Sequence, residues 1–117
     1  MQNKDTGFLG ENIAAVHLVG LGFCILERNW RYKHWEIDLI VSKDRLLHIV
    51  EVKTRTNIDF GFPEQTINVQ KMKFLKNAAA HYQYCHPQWQ WIQFDVIAIY
   101  KKPTDEWALD YFEDVYY

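Results

Sequence analysis

The sequence has little of what membrane, secreted or disulfide-rich proteins require. No segment approaches the roughly 18 consecutive apolar residues of a membrane-spanning helix, and residues 1–5 lack the basic segment and apolar run of a signal peptide. Only two cysteines are present, Cys24 and Cys85, without the CxxC spacing of a metal or redox site. We therefore expect two buried free thiols rather than a disulfide, in a cytoplasmic protein with no membrane partner.

The sequence also lacks an excess of basic residues, which by itself argues against a nucleic-acid partner. The formal net charge is −2, but this charge is unevenly distributed. Residues 1–102 carry +3, whereas residues 103–117 hold five acidic and no basic residues and carry −5. The body of the chain therefore permits a polyanionic partner. The acidic C-terminal extension either screens that body, forms a surface for a partner, or adds a strand to the core.

Several well-known catalytic patterns are missing as well. The chain has no P-loop, no Gly-rich dinucleotide fingerprint and no Ser-His-Asp arrangement. Its five histidines show no metal-ligand spacing. Any catalytic chemistry must therefore come from other side chains.

What the sequence does contain is an ordered series of helix and strand patterns. At 117 residues and 49% hydrophobic content, residues 1–117 are sized for a single domain. Predicted helices span residues 6–21 and 68–84, and predicted strands span residues 23–27, 36–41, 46–54, 93–100 and 107–112. The apolar residues at helical spacing in the first helix are Phe8, Leu9, Ile13, Val16 and Leu18. We predict an α/β fold, a mixed β-sheet flanked by helices in the order αβββαββ, with a loop at residues 56–65 and an edge strand within residues 103–117.

Two carboxylates are predicted to oppose each other on a β-hairpin. If the hairpin turns between Asp44 and Arg45, Asp38 lies opposite Glu51, with Cβ atoms roughly 4.5–5.5 Å apart. Like charges in this arrangement destabilise a sheet unless they share a proton or hold a divalent cation such as Mg²⁺. The alternative is a pair of solvated carboxylates at the strand ends. The same register places Glu36 opposite Lys53, which predicts an ordinary cross-strand ion pair.

The motifs around this hairpin resemble the YraN-like (UPF0102) family of small bacterial proteins. The matching segments are Gly10-Glu11-Asn12-Ile13-Ala14-Ala15, Gly20-Leu21-Gly22-Phe23 followed by Asn29, Glu36-Ile37-Asp38-Leu39-Ile40, Glu51-Val52-Lys53-Thr54-Arg55, Phe60-Gly61-Phe62-Pro63 followed by Lys71, and Phe94-Asp95-Val96-Ile97. They span roughly residues 7–100, which is nearly the whole chain. This family is similar in fold to the Holliday junction resolvases and the wider PD-(D/E)xK nucleases, so the resemblance implies a restriction-endonuclease-like sheet.

The resemblance also implies an active site. Asp38 matches the Asp of the PD-(D/E)xK motif, Glu51 and Lys53 match its (D/E)xK part, and Glu11 matches an acidic residue on the first helix of the resolvases. Asp38, Glu51, Glu11 and the main-chain carbonyl of Val52 are the implied ligands of Mg²⁺ or Mn²⁺. Lys53 would orient a water or stabilise charge on phosphorus, or else serve only the ion pair with Glu36. Glu11 would otherwise be a helix carboxylate favoured near the N-terminus.

Two departures from the family pattern lie close to these residues. Trp35 stands where the family usually has Gly, and it either narrows access or offers a stacking surface. Gln93 stands where the family tends to have Arg, which removes a phosphate contact. The predicted nucleic-acid contacts are Trp35, Arg55, Lys71, Lys73 and Lys76, although lysines on a helix more often form a solvated face.

Two functions follow as hypotheses. The leading one is a Mg²⁺- or Mn²⁺-dependent endonuclease that hydrolyses DNA, including branched DNA in repair or recombination. A homodimer is compatible with it, because many resolvases act as dimers on paired strands. The alternative is a non-catalytic module on a nuclease-like fold that binds nucleic acid or protein.

Overall fold

The computed structural model describes residues 4–55 and 69–115, which form two helices and five strands. The helices are α1 (Lys4–Gly20) and α2 (Val69–Cys85), and the strands are β1 (Cys24–Tyr32), β2 (Trp35–Lys43), β3 (Leu46–Arg55), β4 (Trp91–Lys101) and β5 (Trp107–Phe112). The predicted α/β fold and the order αβββαββ are confirmed. The predicted loop at residues 56–65, with the segment 60–63, lies outside the described residues.

The five strands form one mixed sheet in the order β1-β2-β3-β4-β5. Neighbouring strands are antiparallel except β3 and β4, which run parallel. A tight turn cannot join two parallel strands, so the chain returns through the segment that contains α2. At the edge of the sheet, β5 pairs with β4. Residues 107–112 of the acidic extension thus belong to the sheet, as predicted.

The β2–β3 hairpin turns at Asp44 and Arg45, where the sequence predicted it. Both residues have positive φ, 52° and 68°, as in a type I′ turn. Leu39 pairs with Val50 in the predicted register, but the ladder ends there. Within the described strands, the direct cross-strand pair predicted for Asp38 and Glu51 is therefore not formed.

Arg45→Gly should stabilise this turn. A side chain in the left-handed region costs about 1 kcal/mol, whereas glycine adopts positive φ without that penalty. After allowing for the extra entropy that glycine loses on folding, we expect the free energy of unfolding to rise by about 0.5 kcal/mol, measured by urea denaturation. Lys102→Gly, at an exposed residue without positive φ, should instead lower it. A loss of stability in Arg45→Gly would contradict this account.

Each face of the sheet carries its own hydrophobic core. The core on the α2 side contains Ile37, Ile40, Leu47, Ile49, Met72, Leu75, Ala78, Ala79, Tyr82, Phe94 and Val96. The core on the α1 side contains Ala14, Leu18, Phe23, Leu39, Val41, Val50, Ile97 and Ile99. Side chains of a regular strand alternate between faces, yet Ile37 and Leu39 belong to different cores. The alternation along β2 is thus interrupted at Asp38.

The buried face of α1 differs from the predicted apolar stripe. Phe8, Leu9 and Val16 are 62%, 42% and 74% exposed. The helix instead buries Ala14 and Leu18, together with Gly10. These positions are spaced by four residues and share one helix face, and the small residues among them allow the helix to lie close to the sheet. Phe8, Leu9 and Val16 are therefore left on the outer face, and Leu18 is the large side chain of the predicted stripe that is fully buried.

Three smaller findings complete the comparison with the sequence. Cys24 and Cys85 are free, as predicted, but both are exposed rather than buried. The first strand continues to Tyr32, well beyond the predicted end at Glu27, and passes through Asn29 with φ of 52°. In residues 4–55 and 69–115, neither helix combines the length and apolarity needed to cross a bilayer.

Candidate active site

Asp38 lies where the regular pairing of β2 with β3 stops. Its Oδ2 accepts a hydrogen bond from the backbone N–H of Val52 at 2.8 Å. Burial raises the pKa of Asp38 to about 8, and the negative charges of Glu51 and Glu11 act in the same direction, against the Val52 hydrogen bond and the charge of Lys71. A carboxyl group in these surroundings is stabilised either by a proton or by an added cation.

Glu51 is the second carboxylate of the site and is 6% exposed. Its Oε1 lies 2.6 Å from Nζ of Lys71 and 3.2 Å from Nζ of Lys53. Lys71, predicted as a phosphate contact, thus reaches the carboxylate from α2. The cross-strand ion pair predicted for Glu36 and Lys53 is wrong, because Glu36 pairs with Arg31 at 3.0 Å.

The two lysines on Glu51 differ in basicity. Burial lowers the pKa of Lys53, and the adjacent Lys71 adds to that effect, although Glu51 opposes it. Burial also acts to lower the pKa of Lys71, but there the attraction of Glu51 prevails and the pKa is raised. Lys71 is therefore held as a cation, while Lys53 releases its proton more readily than an ordinary lysine.

Asp38, Glu51, Lys53 and Lys71 form a group of charged side chains that we call the Glu51 cluster. Glu11 approaches it from α1. Its side chain is 16% exposed and lies 3.9 Å from the guanidinium of Arg28. Its Oε1 accepts a hydrogen bond from Nδ2 of Asn29 at 2.9 Å. Glu11 is directed toward β1, and it is near enough to raise the pKa of Asp38. Asn29 itself lies within β1 and has a positive φ.

Gly10 explains how Glu11 comes so close to the sheet. A Cβ atom at Gly10 would lie 2.0 Å from Oγ1 of Thr54, far inside van der Waals contact. Thr54 is itself buried, 4% exposed, and follows Lys53 on β3. The missing side chain at position 10 thus allows α1 to lie against the part of β3 that carries the cluster.

Gly10→Ala should destabilise the protein by about 1–3 kcal/mol, the usual cost of overpacking a core. Thr54→Ala removes the obstructing hydroxyl, so the double variant should regain part of the loss in a urea-denaturation cycle. Gly7→Ala is the matched control, because a Cβ at Gly7 meets nothing within 4 Å; it should gain roughly 0.5–1 kcal/mol of helix propensity. Equal stability of the two alanine variants would refute the close-approach argument.

Asp38 and Glu51 meet part of the requirement for binding a hard divalent cation such as Mg²⁺. Mg²⁺ is typically bound by one or two carboxylates and keeps waters for its other positions, which Asp38 and Glu51 satisfy. In the described parts of the chain, no group of three or more His, Cys, Asp or Glu side chains is placed to hold a metal. Glu11 therefore does not form a three-carboxylate group with Asp38 and Glu51 in these parts of the chain, and it accepts a hydrogen bond from Asn29. The main-chain carbonyl of Val52 stays a predicted ligand.

The remaining residues predicted to contact nucleic acid lie on β2, β3 and α2. Arg55 donates a hydrogen bond to the carbonyl of Thr54 at 3.1 Å. On α2, Lys73 is exposed and Lys76 is half-buried. Trp35 begins β2 and lies stacked on Tyr32, with ring centroids 5.4 Å apart. Their contacts with nucleic acid stay predictions.

One buried polar centre was not assigned a role from the sequence. Asp95 on β4 is 1% exposed. Its Oδ2 lies 2.6 Å from Nδ1 of His48 and accepts a hydrogen bond from the hydroxyl of Tyr111 at 2.6 Å. Its Oδ1 accepts hydrogen bonds from Nε2 of Gln93 at 2.8 Å and from the backbone N–H of Asp114 at 2.9 Å. The sequence signals were an acidic residue within an apolar strand and its place in the matching segment Phe94-Asp95-Val96-Ile97.

Comparison with known proteins agrees with the motifs. The family model described as uncharacterised protein family UPF0102 matches residues 10–99. A UPF0102 protein of Flavobacterium psychrophilum is 39% identical over 116 residues, 99% of this chain and 97% of that protein. Another, of Bacteroides thetaiotaomicron, is 33% identical over 116 residues, 99% of this chain and 95% of that protein.

Among solved structures, Pyrococcus furiosus SfsA in complex with Ca²⁺ is 14% identical, with a TM-score of 0.46. The match covers 92% of this chain but 62% of that one, so the chain spans less than two thirds of its length. The sequence relatives, in contrast, are matched over nearly their whole length. The predicted resemblance is thereby confirmed, and the chain belongs to the uncharacterised protein family UPF0102.

Proposed function

We propose that this UPF0102 protein is a divalent-metal-dependent endonuclease that hydrolyses phosphodiester bonds. Its active site would consist of Asp38, Glu51 and Lys53. The observation that carries the proposal is the pair of shielded carboxylates. Glu51 already has two ammonium groups within 3.2 Å, yet Asp38 remains in a buried environment that disfavours its charge. A purely structural ion pair does not need this second carboxylate, and such costly groups cluster at functional sites.

Asp38 and Glu51 are the residues that would hold Mg²⁺ or Mn²⁺. The Lys71 ammonium, 2.6 Å from Glu51 and attracted by Asp38, stands in for that cation in its electrostatic effect. When bound, the metal would lower the pKa of a coordinated water and neutralise charge on the attacked phosphate. The partial fit of the donors to Mg²⁺ supports a site that relies on water and substrate oxygens for its remaining positions.

The lysines of this chain would act on the substrate directly. Lys53 would orient the attacking water, a role that suits its lowered pKa, and in its cationic form it would stabilise charge that develops on phosphorus. Lys71 remains a firm cation and would contact a phosphate oxygen once Glu51 engages the metal. Glu11, held in place by the hydrogen bond from Asn29, would add negative charge near Asp38.

The proposed substrate is DNA, including branched DNA, in the cytoplasm. The similarity in fold between the family and the Holliday junction resolvases supports this choice, as does the basic character of residues 1–102. A homodimer would allow two sites to act on paired strands of a junction. Mg²⁺ and Mn²⁺ are both consistent with carboxylate ligands.

A cleavage assay tests the proposal. Purified protein is incubated with labelled single-stranded, duplex and four-way-junction DNA in Mn²⁺ and in EDTA, alongside Asp38→Asn and the exposed control Glu106→Gln. We expect product that requires the metal and Asp38 but not Glu106. Cleavage that survives in Asp38→Asn would place the activity elsewhere.

The second candidate is a binding module that does not cleave. It is favoured by one observation, that no three metal-binding side chains come together in residues 4–55 and 69–115. In that case Lys53 and Lys71 would serve Glu51 only as structural partners. DNA affinity retained in EDTA, without product in any divalent metal, would support this module over the nuclease.

A further inference from the structure

A cavity of about 480 Å³ opens beside the Glu51 cluster. We call it the aromatic pocket. It is lined on one side by residues 34–36, where the β1–β2 turn leads into β2, and on the other by Gln70, Lys71 and Phe74 of α2. Its volume falls in the range of about 300–1,000 Å³ that holds small organic groups. The pocket is thus large enough for a nucleobase.

Among the described residues, three aromatic side chains line the aromatic pocket: His34, Trp35 and Phe74. Trp35 stacks nearly parallel on Tyr32, with an interplanar angle of 14°. The ring centroid of His34 lies 5.3 Å from that of Trp35 and 5.8 Å from that of Phe74. His34 is exposed and Phe74 is 38% exposed, so both retain surface that a planar ligand can cover.

Lys71 belongs to both the aromatic pocket and the Glu51 cluster. This residue lines the cavity, and its Nζ lies 2.6 Å from Oε1 of Glu51. Gln70 and Glu36 add hydrogen-bonding groups to the wall, with Glu36 held by Arg31 at 3.0 Å. A ligand with one flat ring and an adjacent negative charge matches this combination of stacking surface, polar wall and ammonium group.

We infer that the aromatic pocket binds one unstacked nucleobase next to the phosphate that is cleaved, and that the substrate therefore carries an unpaired nucleotide at this position. The inference rests on the proposed nuclease function and specifies its substrate. A base inside a duplex is covered on both faces by its neighbours, so it must be extruded or already single-stranded before it can enter. Single strands, branch points and bulges meet that requirement, and intact duplex does not.

Binding measurements in EDTA test the pocket without any cleavage. Fluorescence anisotropy compares a labelled oligothymidylate with an abasic strand of equal length, which has the same phosphates and no bases. Stacking of one base on an aromatic side chain should make the oligothymidylate bind the wild-type protein about 5- to 150-fold more tightly than the abasic strand. Phe74→Ala should lose about that factor for the oligothymidylate and nothing for the abasic strand.

Tyr84→Ala is the matched control, because Tyr84 is an aromatic residue of the same helix, 83% exposed, that does not line the pocket. It should change neither affinity. Urea denaturation establishes that each variant is folded, and His34→Ala replaces Phe74→Ala if the latter unfolds. Equal affinity of the wild-type protein for both strands, or equal losses in the Phe74 and Tyr84 variants, would overturn the pocket.

The result separates the pocket from the catalytic proposal. Asp38-dependent cleavage combined with base-independent binding would retain the nuclease and reject the pocket. Base-dependent binding that Phe74→Ala abolishes, without cleavage in any metal, would retain a nucleobase pocket and reject the nuclease. Absence of binding to either strand would reject the inference outright.

Discussion

Replacing Asp38 with asparagine should reduce Mn²⁺-dependent cleavage by about 100-fold or more and, in the absence of metal, make the protein more stable. Asparagine retains an oxygen that can accept the Val52 N–H, at present bound at 2.8 Å. It removes the negative charge that a cation would need. The same change therefore weakens the proposed metal site while leaving the local hydrogen bond in place.

The gain in stability should depend on pH. Burial and the neighbouring carboxylates raise the pKa of Asp38 from 3.8 to about 8. Because the folded state holds its proton more tightly than the unfolded state, wild-type stability falls as the pH rises between these two values. The asparagine side chain of the variant does not titrate, so the difference should be small near pH 4 and reach about 1–3 kcal/mol near pH 8, given 1.4 kcal/mol per pKa unit and partial relaxation.

Two measurements check this prediction independently. Cleavage rates compare the wild-type protein, Asp38→Asn and Glu106→Gln on the same substrate. Urea denaturation in EDTA at several pH values compares their free energies of unfolding, with Glu106→Gln expected to lie within about 0.5 kcal/mol of the wild type. Undiminished cleavage would remove Asp38 from the site, and lower stability at pH 8 would show that its charge is not costly in the fold.

Replacing Asp95 with alanine should cost about 3–5 kcal/mol of stability, the range found when one partner of a buried charged network is removed. The carboxylate side chain is fully enclosed, and its two oxygens serve four neighbouring groups. Alanine would leave those groups without an acceptor, which is more costly than the loss of an exposed contact. Tyr111 and Asp114 attach residues 107–115 to β4 through this side chain. In the variant, the amides of that segment should therefore be the first to lose protection from hydrogen exchange.

The pH dependence of this contribution has the opposite sign to that of Asp38. Burial acts to raise the pKa of Asp95, but hydrogen bonds from His48, Tyr111 and two further donors outweigh it and hold the pKa below 3.8. Stability from Asp95 is therefore present above pH 3.8 and is lost as the pH falls toward the lower pKa of the folded state. In Asp95→Ala, this acid-sensitive contribution to the free energy of unfolding should be absent.

Urea denaturation at pH 7 and near pH 3 measures both effects. Amide hydrogen exchange of residues 107–115 then shows whether the C-terminal strand opens before the rest of the sheet. Glu106→Ala, at an exposed carboxylate of the β4–β5 connection, should stay within about 0.5 kcal/mol of the wild type. A loss no larger than that control in Asp95→Ala would refute the role assigned to the network.

Much of the fold could be predicted because local patterns agree with the global arrangement. The consecutive apolar residues on β2 and β3, separated by a polar turn at Asp44 and Arg45, were sufficient to place the hairpin, and the position of the turn gave its register as far as Leu39. Register also decides which face each side chain occupies, since a slip of one residue would move every side chain to the opposite face of the sheet. The same constraint does not govern Asp38, where the alternation breaks and a side chain takes over a backbone hydrogen bond.

The helix faces show where local patterns are insufficient. Phe8 and Val16 have the apolar character of core residues, yet the sheet accepts the smaller face that includes Gly10 and Ala14. Which face is buried depends on how closely α1 can approach Thr54. That distance is a property of two elements together and has no counterpart in the periodicity of either.

The sequence by itself determined the order of the elements, the hairpin and the family, and through that family it indicated Asp38, Glu51 and Lys53 as the candidate site. Only the tertiary structure decided that Lys71 of α2 contacts Glu51, that Glu11 is held by Asn29, and that Asp95 connects four groups. Secondary structure follows from periodicities within a few residues. The charge environment of a side chain depends instead on groups brought together from distant parts of the chain, through packing that local patterns do not encode.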